Sequence, residues 1–348
     1  MIRTFVRSSS ARRLSIERLE SRQLMAGDVA VAVVEGMLQV TGDAADNDVQ
    51  IRMIPQTVSG TWPGAKYEIT GASHNNTTPA TTINGQDSVI VEGVKTGANI
   101  DLGEGNNFLR ISRTGNNPTD YRAAAVPGPV TINTGAGKDL LWLYLQNHAQ
   151  VTVNSGSGDD RIDIHRSTLY NLTVNADSPD PNAQQDWGQD LARIGASVVR
   201  GATNVYMGPD HMDASDSLAI TYGSEFDGGF HFEGLASSLY WYAGDSGSQV
   251  KGPVNLTVQF VTLEHVHVTG SLTVTGNDRM SGGTLTDVTV SDELSLYGLG
   301  DADYFGLKDV QSPTTLIDGG DGNDTYRDYG GNSLGEVTFT SVENIETG

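Results

Sequence analysis

A repeat constrains this chain more than anything else in it. VTIN (130–133), VTVN (151–154) and LTVN (172–175) follow one another at a spacing of 21. The first two run into Gly-rich turns and second apolar strands, GAGKDLLWL (135–143) over GSGDDRIDI (156–164). GEGNNFLRI (103–111) fits the same frame after a shift of 32. Alternate residues of a strand face one way. The offset therefore predicts three apolar columns: Ile100, Ile132 and Val153; Leu109, Leu141 and Ile162; Ile111, Leu143 and Ile164. A fixed period means units that bury their faces only against their neighbours. At ~3.3 Å per extended residue, one repeat traces roughly 70 Å, enough for two or three short strands. A sandwich would instead show antiparallel hairpins without a fixed period. The chain is expected to be all-β, a parallel β-helix (solenoid) with coils of about 21 residues.

The period returns late, with LSLYGLGDADYF (294–305) over TLIDGGDGNDTY (315–326) and LTVTGND (272–278) about one repeat earlier. LQVTGDAADNDVQIR (38–52) is a looser strand–turn–strand copy. Residues 176–255 break the pattern, and DSPDPNAQQDWGQD (177–190) is a polar, Pro-bearing loop. This stretch is expected to be irregular coils with insertions inside one solenoid domain, 28–348. Asn133, Asn154 and Asn175 form a further column. Asn favours turns anyway, but three in register point to a ladder of stacked amides.

Charge narrows the function. There are 43 acidic and 21 basic residues, a net of −22. Such a chain repels phosphate, which argues against a nucleic-acid partner, and suits multivalent cations or solubility. Without cysteine, disulfide, thiol and Cys-ligated metal chemistry are excluded. Arg3, Arg7, Arg12, Arg13, Arg18 and Arg22 crowd residues 1–27, a basic leader before an acidic body and the pattern of a targeting segment. No apolar h-region follows it. The run Val29–Val34 is too short to span a bilayer, so no transmembrane segment is expected. RRLSIERLESRQLMAGD (12–28) resembles the LEPR-XLL motif at Leu19, Glu20, Arg22, Leu24 and Ala26–Gly27–Asp28. It departs at Ser21, where Pro is usual, and at Met25, which replaces the second Leu. The resemblance implies export from a bacterial cell to its surface or surroundings.

GGDGNDTY (319–326) has the form G-G-x-G-x-D-x-aromatic and resembles the RTX (haemolysin-type) calcium-binding repeat. GSGDDRI, GAGKDLL and GLGDADYF keep parts of the skeleton, and GEGNNFL puts Asn107 in place of the Asp. Gly permits positive φ and turns carbonyls inward, while Asp supplies the hard oxygen that Ca²⁺ takes. The resemblance implies calcium bound by Asp303, Asp321 and Asp324 with carbonyls near Gly298, Gly320 and Gly322, and a second pair in Asp139 and Asp160. RTX arrays repeat every nine residues, whereas here one such turn occurs in each period. Gly and Asp also fit tight turns without an ion, and both readings stay open. VTFTSVENIETG (337–348) resembles the closing strand of RTX modules and is expected to cap the solenoid.

Catalytic phrases are sparse. Gly244-Asp245-Ser246-Gly247 matches a serine-protease nucleophile phrase but has no His context. Asp159–Asp160 are explained by the repeat, and the Gly-His-Gly and Arg-x-Lys phrases of pectinase-like families are absent. His265 and His267 alternate on one strand, so both are expected on one side, without a third ligand by spacing. Tyr240, Trp241 and Tyr242, with His231 and Phe232 near, would make a sugar-stacking platform or pack around an insertion. The functional expectation is an exported surface or matrix solenoid, structural or adhesive and calcium-stabilised, with extracellular polysaccharide or envelope components as partners. The alternative is a carbohydrate-active β-helix enzyme, a lyase or glycosidase. Two or three carboxylates with a Lys or Arg in one groove would mark it.

Overall fold

The computed structural model describes residues 27–56, 62–72, 81–113, 122–176, 188–208, 216–244, 247–277 and 281–348. Apart from Gly27, the targeting segment lies outside them, as do Asp245–Ser246 and most of the 177–190 loop. The chain is all-β: the described residues form thirty-two strands and no α-helix.

Parallel pairing dominates. Val130–Asn133 lies between Gly97–Asp101 and Gln150–Asn154, which pairs on to Asn171–Asn175. A second ladder joins Phe108–Arg113, Leu140–Leu143 and Arg161–His165, and a third, shorter one joins Ala124–Ala125, Leu145–Gln146 and Thr168–Leu169. The partners are those the spacing predicts. Ile132 sits between Ile100 and Val153, Leu141 between Leu109 and Ile162, and Leu143 between Ile111 and Ile164. All nine are buried. Outside this core the Asn column is a true amide ladder, Asn175 Nδ2 donating to Asn154 Oδ1 at 2.6 Å and Asn154 Nδ2 to Asn133 Oδ1 at 2.7 Å.

Parallel pairing continues through the middle region. Ile162 pairs with Ala192, Ala192 with Leu218, and Leu218 with Leu239, and the register shifts once within a strand, between Gly234 and Ser238 of Phe230–Tyr242. The late copies stack likewise, Leu296 on Ile317 and Phe305 on Tyr326. Antiparallel pairs occur near the start, where Asp28–Val34 meets Met37–Thr41 and Ala65–Gly71 meets both Asp48–Met53 and Ser88–Val94. At the other end, Ser333–Thr340 and Asn344–Thr347 add further parallel strands. The expected cap is thus one more layer, and it leaves Phe339 38% and Ile345 53% exposed.

Candidate functional site

The Gly-Asp turns form a continuous ladder. Asp139 Oδ1 accepts the Asn107 amide at 2.7 Å, Asp160 Oδ1 accepts the Asp139 amide at 2.9 Å, and Asp190 and Asp216 extend the series at 2.7 and 2.8 Å. Asn107 Oδ1 begins it by accepting the Asn47 amide at 2.9 Å. A second ladder runs Ser281–Asp303–Asp324–Glu343, with contacts of 2.6, 2.8 and 2.8 Å. The sequence reading missed Asp190 and Asp216, because insertions move them off the 21-residue offset. Their signal was the phrase Asp-x-apolar-x-apolar, shared by DLLWL, DRIDI, DLARI and DSLAI. Gly135 and Gly156 let the turns stack. Each has φ near +90° (+87° and +96°), and a Cβ there would strike the carbonyl oxygen of Gly103 or Gly135 on the preceding pass.

The second side-chain atom distinguishes Asn from Asp. Asn107 Nδ2 donates to the Gly103, Gly105 and Thr134 carbonyls at 3.2, 3.1 and 2.8 Å, and Asn47 Nδ2 is held by three carbonyls in the same way. In Asp139, Asp303 and Asp324 an oxygen takes that position, buried and without a hydrogen-bond partner. Burial pushes the carboxyls of Asp139 and Asp303 up to about 6 and raises that of Asp324. An acceptor facing carbonyl oxygens needs a positive partner, either a proton or a cation.

The predicted calcium residues are therefore partly assembled. Asp303 meets Asp324, and Asp139 meets Asp160, through amide-to-carboxylate bonds. Gly320 and Gly322 hold the turn at φ +86° and +156°. Asp321 lies on its exposed tip, donating its amide to the Leu299 carbonyl. Their donors, carboxylate and carbonyl oxygens, are the chemistry calcium takes. No group of three His, Cys, Asp or Glu side chains is placed to hold a metal among the described residues.

A different face carries a cavity of about 700 Å³, lined by Trp142, Tyr144, Asp163, His165, Arg193 and Tyr222 among others. These side chains point outward from the second ladder. One column runs Arg110, Trp142, Asp163, Arg193, Ala219, Tyr240. Its neighbour runs His165, Gly195, Thr221, Tyr242, Glu264. The hollow exists because Gly195 and Ala196 put almost no side chain between His165–Arg166 and Thr221–Tyr222. Rings converge across it, His165 lying 6.2 Å from Tyr144 and 5.9 Å from Tyr222 by centroid. Arg193 lies over the Tyr222 ring at 5.6 Å and Arg110 over Trp142 at 4.4 Å. Arg166, Ala196 and Tyr222 turn the corner at φ +49°, +49° and +60°. Such angles are strained for bulky side chains and cluster at working surfaces. His165 Nδ1 donates to the Gly195 carbonyl at 2.9 Å. Burial, with Arg166 and Arg193 close by, lowers its pKa.

Strand alternation splits the expected aromatic platform. Tyr240 and Tyr242 stack outward, 6.2 Å apart and 20° from parallel, on the same face as the cavity. Trp241 turns inward and packs fully buried against Phe226 and Phe230. His265 and His267 do not form a common site. His265 occupies a corner at φ +58° and bonds Asp287 at 2.7 Å, and His267 belongs to the next ladder, so the alternation does not carry across the bend. Comparison with family models, curated proteins and solved structures finds no match.

Proposed function

We propose that the chain is a parallel β-helix exported to the bacterial surface or matrix, and that it binds polysaccharide along its aromatic face without cleaving it. The helix reading is supported by three parallel ladders that continue into the middle region. The leader, with its LEPR-XLL resemblance, supports export, and deleting residues 1–26 should keep the protein inside the cell. The observation that carries the binding reading is the alignment of Trp142, Tyr144, His165, Tyr222, Tyr240 and Tyr242 on one side of the second ladder. An aromatic face covers the apolar side of a pyranose ring. From Phe108–Arg113 to Val254–Thr269 the face crosses seven strands, about 29 Å at ~4.8 Å each, the shape of a track for an extended chain.

Turnover would need two or three carboxylates in this groove. Among its described lining only Asp163 is acidic, and its Oδ2 accepts from Arg161 Nε at 2.9 Å. Tryptophan fluorescence titration with bacterial and plant polysaccharides should show saturable binding. Tyr222→Ala and Trp142→Ala should each weaken it about tenfold, ~1.4 kcal/mol. Release of new reducing ends would instead establish an enzyme. Calcium belongs to the same proposal as a stabilising partner, on the observation that Asp139, Asp303 and Asp324 each bury an oxygen without a hydrogen bond. Calorimetry at millimolar calcium should detect uptake, lost in Asp324→Asn. A flat titration would remove calcium from the reading.

A further inference from the structure

Six of the described lysines and arginines are held by a carboxylate. Arg161 holds Asp163, Arg200 and Lys251 share Asp227, Lys138 holds Asp159, Lys66 holds Glu92 and Arg327 holds Glu346. Acidic residues outnumber basic ones by two to one, so an arginine without a carboxylate beside it is open to an anion from outside the chain. Two arginines of the cavity are among those without such a partner. Neither Arg166 nor Arg193 has a carboxylate at ion-pair distance among the described residues, although both line the same hollow. Asp163, register partner of Arg193, directs its carboxylate to Arg161. Arg193 lies instead over the Tyr222 ring, with Nη2 donating to the Tyr222 hydroxyl at 3.5 Å, which fixes its plane and leaves its remaining N–H groups without a carboxylate. Arg166 is exposed at the left-handed corner of the hollow.

From this charge complementarity we infer that the groove takes an acidic polysaccharide, one whose sugar rings stack on the aromatic line and whose ring-borne anions meet Arg166 and Arg193. The inference rests on the saccharide reading above and adds its charge. A guanidinium fork matches the planar oxygens of a carboxylate and also those of a sulfate. Burial lowers the pKa of His165 first, and Arg166 and Arg193 lower it further. Gly195 is part of the device. A Cβ at this position would press on His165 Nδ1 and Thr221 Oγ1, both near 3 Å, and narrow the hollow between the two arginines.

The test is affinity electrophoresis and calorimetry of the full chain with three polysaccharides of similar length: a polyuronate, a sulfated glycan and a neutral glucan. At least one acidic glycan is expected to bind ~10-fold tighter than the glucan, with the advantage shrinking as salt screens the contacts. The arm that wins identifies carboxylate or sulfate as the anion. Arg193→Gln and Arg166→Gln should each remove most of that advantage and keep the weaker glucan binding. Lys251→Gln, the same charge change on a different strand ladder, should leave it intact. Equal binding of acidic and neutral chains, or an advantage that survives both arginine variants, overturns the charge inference and leaves the saccharide reading standing. Absence of binding to all three overturns both.

Discussion

At the scale of single residues, the turns contain a built-in comparison between Asn and Asp. Asn107 fills its position with an N–H donor to three carbonyls, whereas Asp139, one pass on, places an oxygen there. The Asp139 carboxyl rises from 3.8 to about 6 on folding, so between these values the folded chain holds a proton that the unfolded chain has released. Its contribution to stability is complete below about pH 4 and is lost as the pH rises past 6. The difference amounts to about 3 kcal/mol at most for this residue. Asp303 acts with the same sign. Asp28 and Asp159 are held low, by hydrogen bonds from Thr82 and Lys138 respectively, and so act only in stronger acid. In calcium-free buffer the melting temperature should therefore rise from pH 7 to pH 5. Asp139→Asn should raise it at pH 7, by about 1–3 kcal/mol of stability, and flatten the slope. A variant less stable than the parent at pH 7 without calcium would show that the buried oxygen already has a partner. If calcium binds as proposed, it competes with the proton for these oxygens, and its benefit should grow with pH.

Elements show what the sequence could and could not announce. The columns through Ile132, Leu141 and Leu143 were legible because a constant offset carries every inward side chain onto an equivalent one. The Asn ladder was legible for the same reason. The groove was not. Its members sit at offsets of 30 and 26 residues, from His165 to Gly195 and from Gly195 to Thr221, so no single period aligns Trp142 with Arg193 or Tyr222. Its key element, the small Gly195–Ala196 pair, is notable only once its neighbours are known. The aromatic triplet at 240–242 was legible as a cluster, but its orientation depended on which residue faced the core. This contrast gives a prediction for the strands. Ile162 is buried between Leu141 and Ala192, and Ile162→Asp would bury a charge without a partner, a loss of ~3 kcal/mol or more. Arg161→Gln, beside it on the exposed face, should change stability by less than ~1 kcal/mol, since a surface ion pair contributes little. Urea unfolding of the two variants checks this. Similar midpoints would mean that the columns do not carry the core.

For the whole molecule, a stack of this kind derives its stability from contacts between adjacent layers. A layer packed on both sides should be far harder to open than one packed on a single side. Val151 and Val153, and the facing Ile162 and Ile164, are covered from both directions and nearly inaccessible. Among the described residues Asn344–Thr347 pairs only with Thr325–Asp328; its Ile345 is more than half exposed, and most of Ser333–Thr340 is exposed as well. Native-state hydrogen exchange should then give a gradient. Amides of Gln150–Asn154 and Arg161–His165 should exchange only through global opening, while those of Asn344–Thr347 exchange through local fraying at a much lower cost. Ile345→Asp should have little effect on the melting temperature, whereas the same change at Ile162 collapses the stack. The proposed calcium gives a prediction at this scale too. Because Asp324 and Glu343 link the last layers, calcium bound there should slow exchange at Thr325–Asp328 and Asn344–Thr347 before it affects the centre. Uniform protection from 150 to 347, with and without calcium, would show that the chain unfolds as one indivisible unit and that the neighbour-by-neighbour account of its stability is wrong.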